Sequence, residues 1–349
     1  DGRIAWTVSG LLPLRPEGCE GERPMSWADG RCAWRGYAAA SQVPKVIDPE
    51  KGRLWTANNR IVGASLRGAA RYRDPSMGAR ARQIKDGLWA KDRFSERDLL
   101  AIQLDDKATF LAPWRRLMLD ALNGSSHKAM RQAVENWSGR AGVDAVGYRL
   151  VRSFRWAMLS RVIDPLLKPA RELADETEGV DIGWLRPRNV EHMLWSLLES
   201  RPAALLPSGA ASWSAVIEAA VSDVQAVVDA EAGGDLRQFT WGAVNRSTIR
   251  HPLSDAVPYL GRFLDPPSSP LPGDRDMPRV QGPKFGASER FVVSPGREEQ
   301  GIFHMPGGQA SHPLSPYLHA GHEAWATGAP TPFLPGNAVW TLRLEPGAS

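Results

Sequence analysis

The sequence predicts an α+β fold, and three observations carry that prediction. Strand-like runs lie toward both ends, at 3–9 and 53–57 and again at 290–293, 301–304 and 339–344. Helical periodicity fills the middle. Pro-rich loops at 13–50 and 252–283 flank that helical stretch. The order strands, helices, strands describes one α+β unit with a helical insertion rather than independent domains. The corresponding parts are residues 1–90, 91–239 and 240–349.

Each element has a local reason. Ile4-Ala5-Trp6-Thr7 reads as a strand, and Pro13, Pro16, Pro24, Pro44 and Pro49 then break the chain into loops. Ser95-Glu96-Arg97-Asp98 has the capping-box pattern, a hydroxyl acceptor followed three residues later by a carboxylate. Leu100, Leu104, Ala108 and Leu111 fall on one helical face, so a helix is expected over 95–112. Pro113 is expected to end or kink it, and a second helix to run on to Asn123-Gly124. Further helices are expected at 126–137, 144–163, 188–199 and 212–231, the last burying Val216, Ala220, Val224 and Val227.

Composition narrows the function classes. A hydrophobic content of 42% supports a real core, and Trp 14 points to aromatic-rich packing or apolar pockets. The net charge of +4 is dispersed, with no Lys/Arg run or RNA-binding signature, so no nucleic-acid partner is expected. No stretch approaches the roughly 20 apolar residues of a membrane-spanning helix. Cys19 and Cys32, a closely spaced pair in a loop-like stretch, fit a disulfide in an oxidising compartment; two free thiols are the alternative. They form no zinc site, which needs four ligands. His304, His312, His319 and His322 crowd the C-terminal region without Cys or carboxylate at ligand spacing, and read as polar loop and edge residues. Asp105-Asp106 reads as solvated charge on a helix. No Gly-x-Ser-x-Gly elbow or phosphate-binding glycine loop is present.

Asn58-Asn59, between a short strand and Arg60, is the most chemically suggestive pair. An Asn at a strand end can aim its amide at a developing oxyanion. It can equally serve a turn, because Asn tolerates left-handed backbone.

Arg53-Leu54-Trp55-Thr56-Ala57-Asn58-Asn59-Arg60-Ile61-Val62-Gly63 resembles the segment of the penicillin acylase family that carries the oxyanion asparagine. Gly78-Ala79-Arg80-Ala81-Arg82-Gln83-Ile84 and the 98–105 stretch resemble the segments that follow it. Trp241-Gly242, His251-Pro252, Phe285-Gly286-Ala287-Ser288-Glu289-Arg290, Gly307-Gly308-Gln309-Ala310-Ser311-His312-Pro313, Ser315-Pro316, Trp325 and Gly328 extend the likeness in order. It is strongest over 1–90 and 240–349.

That resemblance implies an N-terminal nucleophile hydrolase, with an αββα core of which this chain holds part. It implies a precursor that cleaves itself to expose a serine whose own α-amine acts as base. The chain starts at Asp1, so the nucleophile is expected on polypeptide outside it. The implied partners are the α-chain and the N-terminal part of the β-chain of the same precursor, in the periplasm or outside the cell. The oxyanion donor falls on Asn58, and the site-ordering arginine on Arg80, with Arg82 as its rival. No cofactor is implied. The structural calcium that the family often binds is not supported by Ala69, at a position where an acid would serve, and Asp74 nearby has no assigned role. The implied substrates are small acyl amides: N-acyl homoserine lactones, the side-chain amides of β-lactams, or both. A dedicated penicillin or cephalosporin acylase is the rival enzyme, and a non-catalytic module that binds through Trp-rich surface is the rival of another class.

Overall fold

A computed structural model of the chain describes residues 2–19, 26–60, 77–176 and 190–347. At its start β1 (Ala5–Thr7) pairs antiparallel with β2 (Lys45–Ile47), setting Trp6 opposite Val46. Cys19 and Cys32 are disulfide-bonded, with Cα atoms 5.4 Å apart. Both are buried in a stretch otherwise built of exposed loop.

The strand expected at 53–57 does not form. Those residues run beside helix α1 (Ala79–Trp89), held by side chains instead of a ladder. Helix α2 (Glu96–Gln103) starts with the expected capping box, Ser95 accepting from Asp98 N–H and Asp98 from Ser95 N–H. It stops at Gln103, short of the expected 95–112 helix. Pro113 opens α3 (Ala112–Ala121) rather than ending a helix. In the first turn its missing N–H has no intrahelical partner to lose.

A helical block follows. It comprises α3, α4 (Lys128–Glu135), α5 (Val146–Val162), α6 (Asp164–Asp175), α7 (Glu191–Ser200) and α8 (Trp213–Ala232). Its core joins Leu111, Trp114, Met118, Tyr148, Phe154 and Met158 to one face of α8. Ser212 caps α8 through a bond from Ala215 N–H, and Gly233 ends it in left-handed backbone. Val216, Ala220 and Val224 are buried as expected, but Val228 occupies the next core position and Val227 is 36% exposed. A 3.6-residue period allows either, and the packing of α5 on α8 chooses 228. Helix α6 was not foreseen; its internal Pro169 is a helix-breaking signal in the sequence.

Polar anchors hold the block together and tie it to the chain beyond it. Glu191 takes Arg155 bidentately at 2.8–3.2 Å and also accepts from Trp114 Nε1 at 2.6 Å. Asp274 accepts from Tyr148 Oη at 2.7 Å and Arg152 Nε at 2.5 Å. After the short helices α9 (Trp241–Val244), α10 (Pro252–Ala256) and α11 (Gly261–Leu264) come β3 (Arg290–Val292) and β4 (Ile302–His304). These pair antiparallel and lay Val292 and Ile302 on Leu100 of α2.

Helix α12 (His322–Thr327) is held by its C-terminal carbonyls. Arg279 donates to the oxygens of Ala326 and Thr327, both at 2.9 Å, and Arg290 to that of Trp325 at 2.9 Å. Cations suit the negative end of a helix. The strand expected at 339–344 does not form; Val339, Trp340, Leu342 and Leu344 are exposed, and no described strand lies alongside to supply a ladder.

Candidate active site

The two residues singled out by their motif positions meet. Asn58 adopts left-handed backbone with φ 59°, which its short amide side chain tolerates. Asn59 turns back on the loop, its Oδ1 accepting from Ala57 N–H at 3.0 Å and its Nδ2 donating to Arg60 O at 3.1 Å. Arg80, in the first turn of α1, reaches across. One Nη donates to Ala57 O at 3.0 Å and to Asn58 Oδ1 at 2.9 Å. That bond fixes which way the Asn58 amide faces, because only its oxygen can accept from a guanidinium. Among the described residues the bond engages only the oxygen of this amide and no partner takes its Nδ2.

Arg82, two residues on, points outward and pairs only loosely with Asp86, at 3.8 Å, across one helical turn. Helical geometry separates the two arginines: at about 100° per residue, positions two apart cannot share a face.

Asn58 lines an open cleft of about 420 Å³ together with Trp6, Thr7, Val8, Ser9, Thr56 and Ala57. One wall is β1 with the residues that follow it, and the other is the turn carrying Asn58. Among the described residues the lining mixes hydroxyls, small apolar groups, one amide and one indole, with no charged side chain. Burial lowers the pKa of Arg80, Asp276 opposes that shift and Arg275 adds to it. Burial raises the Asp276 carboxyl in turn. Arg80 is still a cation at neutral pH, as a guanidinium is in any ordinary protein setting.

Support for this site runs outward through α1 and α2. Gln83 of α1 donates to Asp105 Oδ2 at 3.1 Å and to Lys107 O at 3.0 Å. Asp105-Asp106 is therefore not solvated charge on a helix. The pair lies past the end of α2, Asp106 is buried, and its carboxylate pairs with Arg140. His304 and His322 are likewise buried rather than loop or edge groups. His304 Nε2 bonds Ala329 O and His322 Nδ1 bonds Pro306 O, both at 2.7 Å. Among the described residues no three His, Cys, Asp or Glu side chains gather as a metal site. Ala69 and Asp74 lie outside the described residues, as do Ile61, Val62 and Gly63 of the asparagine motif.

Sequence reasoning missed the contribution of β1 to the cleft, and it missed the aromatic and cationic side chains around Trp55. Trp55 and Trp89 meet edge to face with centroids 5.0 Å apart. Trp6 and Trp55 sat inside quoted segments, but nothing local announces which surface an indole will face. Among the described tryptophans, Trp114, Trp137, Trp213, Trp241 and Trp325 are core residues, whereas Trp27, Trp34, Trp89 and Trp340 are exposed.

The chain also resembles known proteins along most of its length. A family model described as penicillin amidase matches residues 1–338. Penicillin acylase 2 proenzyme of Pseudomonas sp. (strain SE83) is 28% identical over 343 residues, covering 95% of this chain and 43% of that protein. Acyl-homoserine lactone acylase QuiP of Pseudomonas aeruginosa is 25% identical, covering 96% of this chain and 43% of that protein. The chain thus spans about two fifths of the length of these curated relatives. A thermostable penicillin G acylase from Alcaligenes faecalis has the same fold, with a TM-score of 0.57 at 16% identity, over 99% of this chain and 66% of that one.

Proposed function

Since the chain belongs to the penicillin amidase family, we propose that it forms the oxyanion-stabilising part of an acylase that cleaves linear amides into a carboxylic acid and an amine. The observation that carries this reading is the bond from Arg80 Nη to Asn58 Oδ1, which holds by its oxygen the amide of a residue that lines the cleft.

The nucleophile is the hydroxyl of a serine on polypeptide outside these 349 residues, activated by that serine's own α-amine. It attacks the amide carbonyl, and the carbonyl oxygen gains negative charge. Asn58 Nδ2–H donates to that oxygen, and Arg80 holds the amide in place. Such a donor stabilises the charged intermediate far more than the neutral carbonyl, which is what lowers a barrier. The amine leaves with a proton returned to it, and water then hydrolyses the acyl-serine.

The preferred substrates are N-acyl homoserine lactones, with β-lactam side-chain amides as additional ones. A dedicated penicillin acylase is the second reading, favoured by the likeness to penicillin acylase 2 proenzyme. The partners are the remaining parts of the same precursor. The exposed apolar alternation at 339–344 is where a strand would join a sheet supplied by them. The Cys19–Cys32 bond supports a periplasmic or secreted location.

The test is an assay of residues 1–349 alone and of the full precursor product, against an N-acyl homoserine lactone and a penicillin. Turnover is expected only with the full product, and the ratio of the two rates ranks the readings. Turnover by residues 1–349 alone would overturn the placement of the nucleophile.

A further inference from the structure

Residues 53–58 carry the proposed oxyanion donor, yet they belong to no sheet. Nothing in a ladder sets their register. They lie beside α1, and that helix seizes them at two points. At its start Arg80 holds Ala57 O and Asn58 Oδ1. At its far end Trp89 meets Trp55 edge to face, with centroids 5.0 Å apart at 83°. The Arg53 guanidinium sits 5.4 Å over the Trp89 ring and 5.7 Å over Phe94, while donating to Lys91 O at 2.7 Å and Asp92 O at 3.2 Å. Lys85 Nζ lies 5.7 Å from the Trp55 ring and 5.9 Å from that of Trp89.

From position 80 to 89 a helix rises about 13.5 Å, whereas an extended chain covers at most about 10 Å from position 55 to 58, and the long side chains of Arg80, Trp55 and Trp89 span the difference. A shift of one residue along α1 would move Asn58 by about 3.3 Å.

We propose that Arg53, Trp55 and Trp89, with Lys85, form a positioning clip that sets the register of Asn58. They touch no substrate and act through Asn58. This rests on the acylase reading above. The clip is on the surface, with Trp89 39% exposed and outside the apolar core. Helix α1 keeps its own seat through Gln83, bonded to the turn after α2, and through the close approach of Gly87 to Ile102 of α2. Loss of the clip should therefore spare the fold and disturb the geometry of Asn58.

The experiment uses the full precursor product, with an N-acyl homoserine lactone as probe, and compares Trp55→Ala, Trp89→Ala and Trp55→Phe. A displacement of about 1 Å in a catalytic group can cost up to about 100-fold. Trp55→Ala and Trp89→Ala should lose roughly 10- to 100-fold in kcat with KM and melting temperature little changed. Trp55→Phe, which keeps a ring against Trp89, should recover most of that loss. In an Asn58→Ala background Trp55→Ala should cost nothing more, because the group it positions is gone. Wild-type kcat in both alanine variants would overturn the proposal, as would losses that simply multiply with that of Asn58→Ala. If Trp55→Ala does not fold, Arg53→Met, which removes the two carbonyl bonds, carries the same comparison. Full turnover by Asn58→Ala alone would instead remove the acylase site from this segment, and the clip with it.

Discussion

Replacing Asn58 separates chemistry from backbone strain. The alanine variant removes the amide donors; loss of one oxyanion donor costs roughly 2.7–4 kcal/mol of transition-state stabilisation, or about 10²–10³ in kcat. It also places a Cβ without a compensating side chain at φ 59°, which costs roughly 1–2 kcal/mol for a residue other than Gly or Asn. The Arg80 bond to Oδ1 is lost as well, but at this exposed position its contribution to stability is small. Asn58→Gly removes the same donors without the strain. The two variants should therefore share one loss of kcat and differ in stability, glycine being the more stable by about 1 kcal/mol. Steady-state kinetics on an N-acyl homoserine lactone and thermal melts, both on the full precursor product, read the two effects apart. KM should move little, because the donor acts once charge develops. Near-normal kcat in either variant would refute the oxyanion role. A kcat that recovered in Asn58→Gly along with stability would show that the loss was structural.

Other outcomes follow from neighbouring contacts. Arg80→Met should lower kcat by freeing the Asn58 amide to rotate, while Arg82→Met, on the outward face, should leave kinetics unchanged; the reverse ranking in the same assay would move the ordering role to Arg82. Reduction of Cys19–Cys32 should loosen the N-terminal stretch, an effect worth up to about 3 kcal/mol for a loop of this size. Mass spectrometry of unreduced peptides checks that the bond forms, and melts with and without reductant read its contribution. Burial holds the His304 imidazole below its ordinary 6.5, with Arg290 and Arg279 adding to that shift and the bond to Ala329 O opposing it. The unfolded chain then takes up a proton before the folded one does. Stability from this group is present above pH 6.5 and is lost as pH falls toward the lower folded value. Melts from pH 8 to pH 5 should fall more steeply for the wild type than for His304→Asn, and parallel curves would exclude this histidine as a source of acid sensitivity.

Much of the fold was legible because its signals are local. The Ser95–Asp98 box, the Ser212 and Gly233 ends of α8, and the period of α4 and α5 each lie within one or two turns of sequence. The order of strands, helices and strands was legible for the same reason. Where local signals allow two outcomes, a distant partner decides. Pro113 can stop a helix or open one, and the break after Gln103 makes it an opener. Val227 and Val228 both satisfy the period, and α5 selects Val228. Asp105 and Asp106 are charged in any reading, but Gln83 and Arg140 draw them into a junction between helices.

The site divides along the same line. The sequence by itself placed Asn58 at the end of a short extended segment and Arg80 and Arg82 in the motif that follows; it did not foresee that those arginines stand on a helix, because residues 1–90 read as strands and loops. It could not determine which arginine reaches back, because that depends on where α1 lies against residues 53–58. Tertiary packing placed Arg80 on Asn58 Oδ1, Trp89 on Trp55 and Trp6 across the cleft. The physical reason is that a hydrogen-bond donor or an indole is written in one residue, whereas its partner is chosen by the packing of elements far apart in the chain.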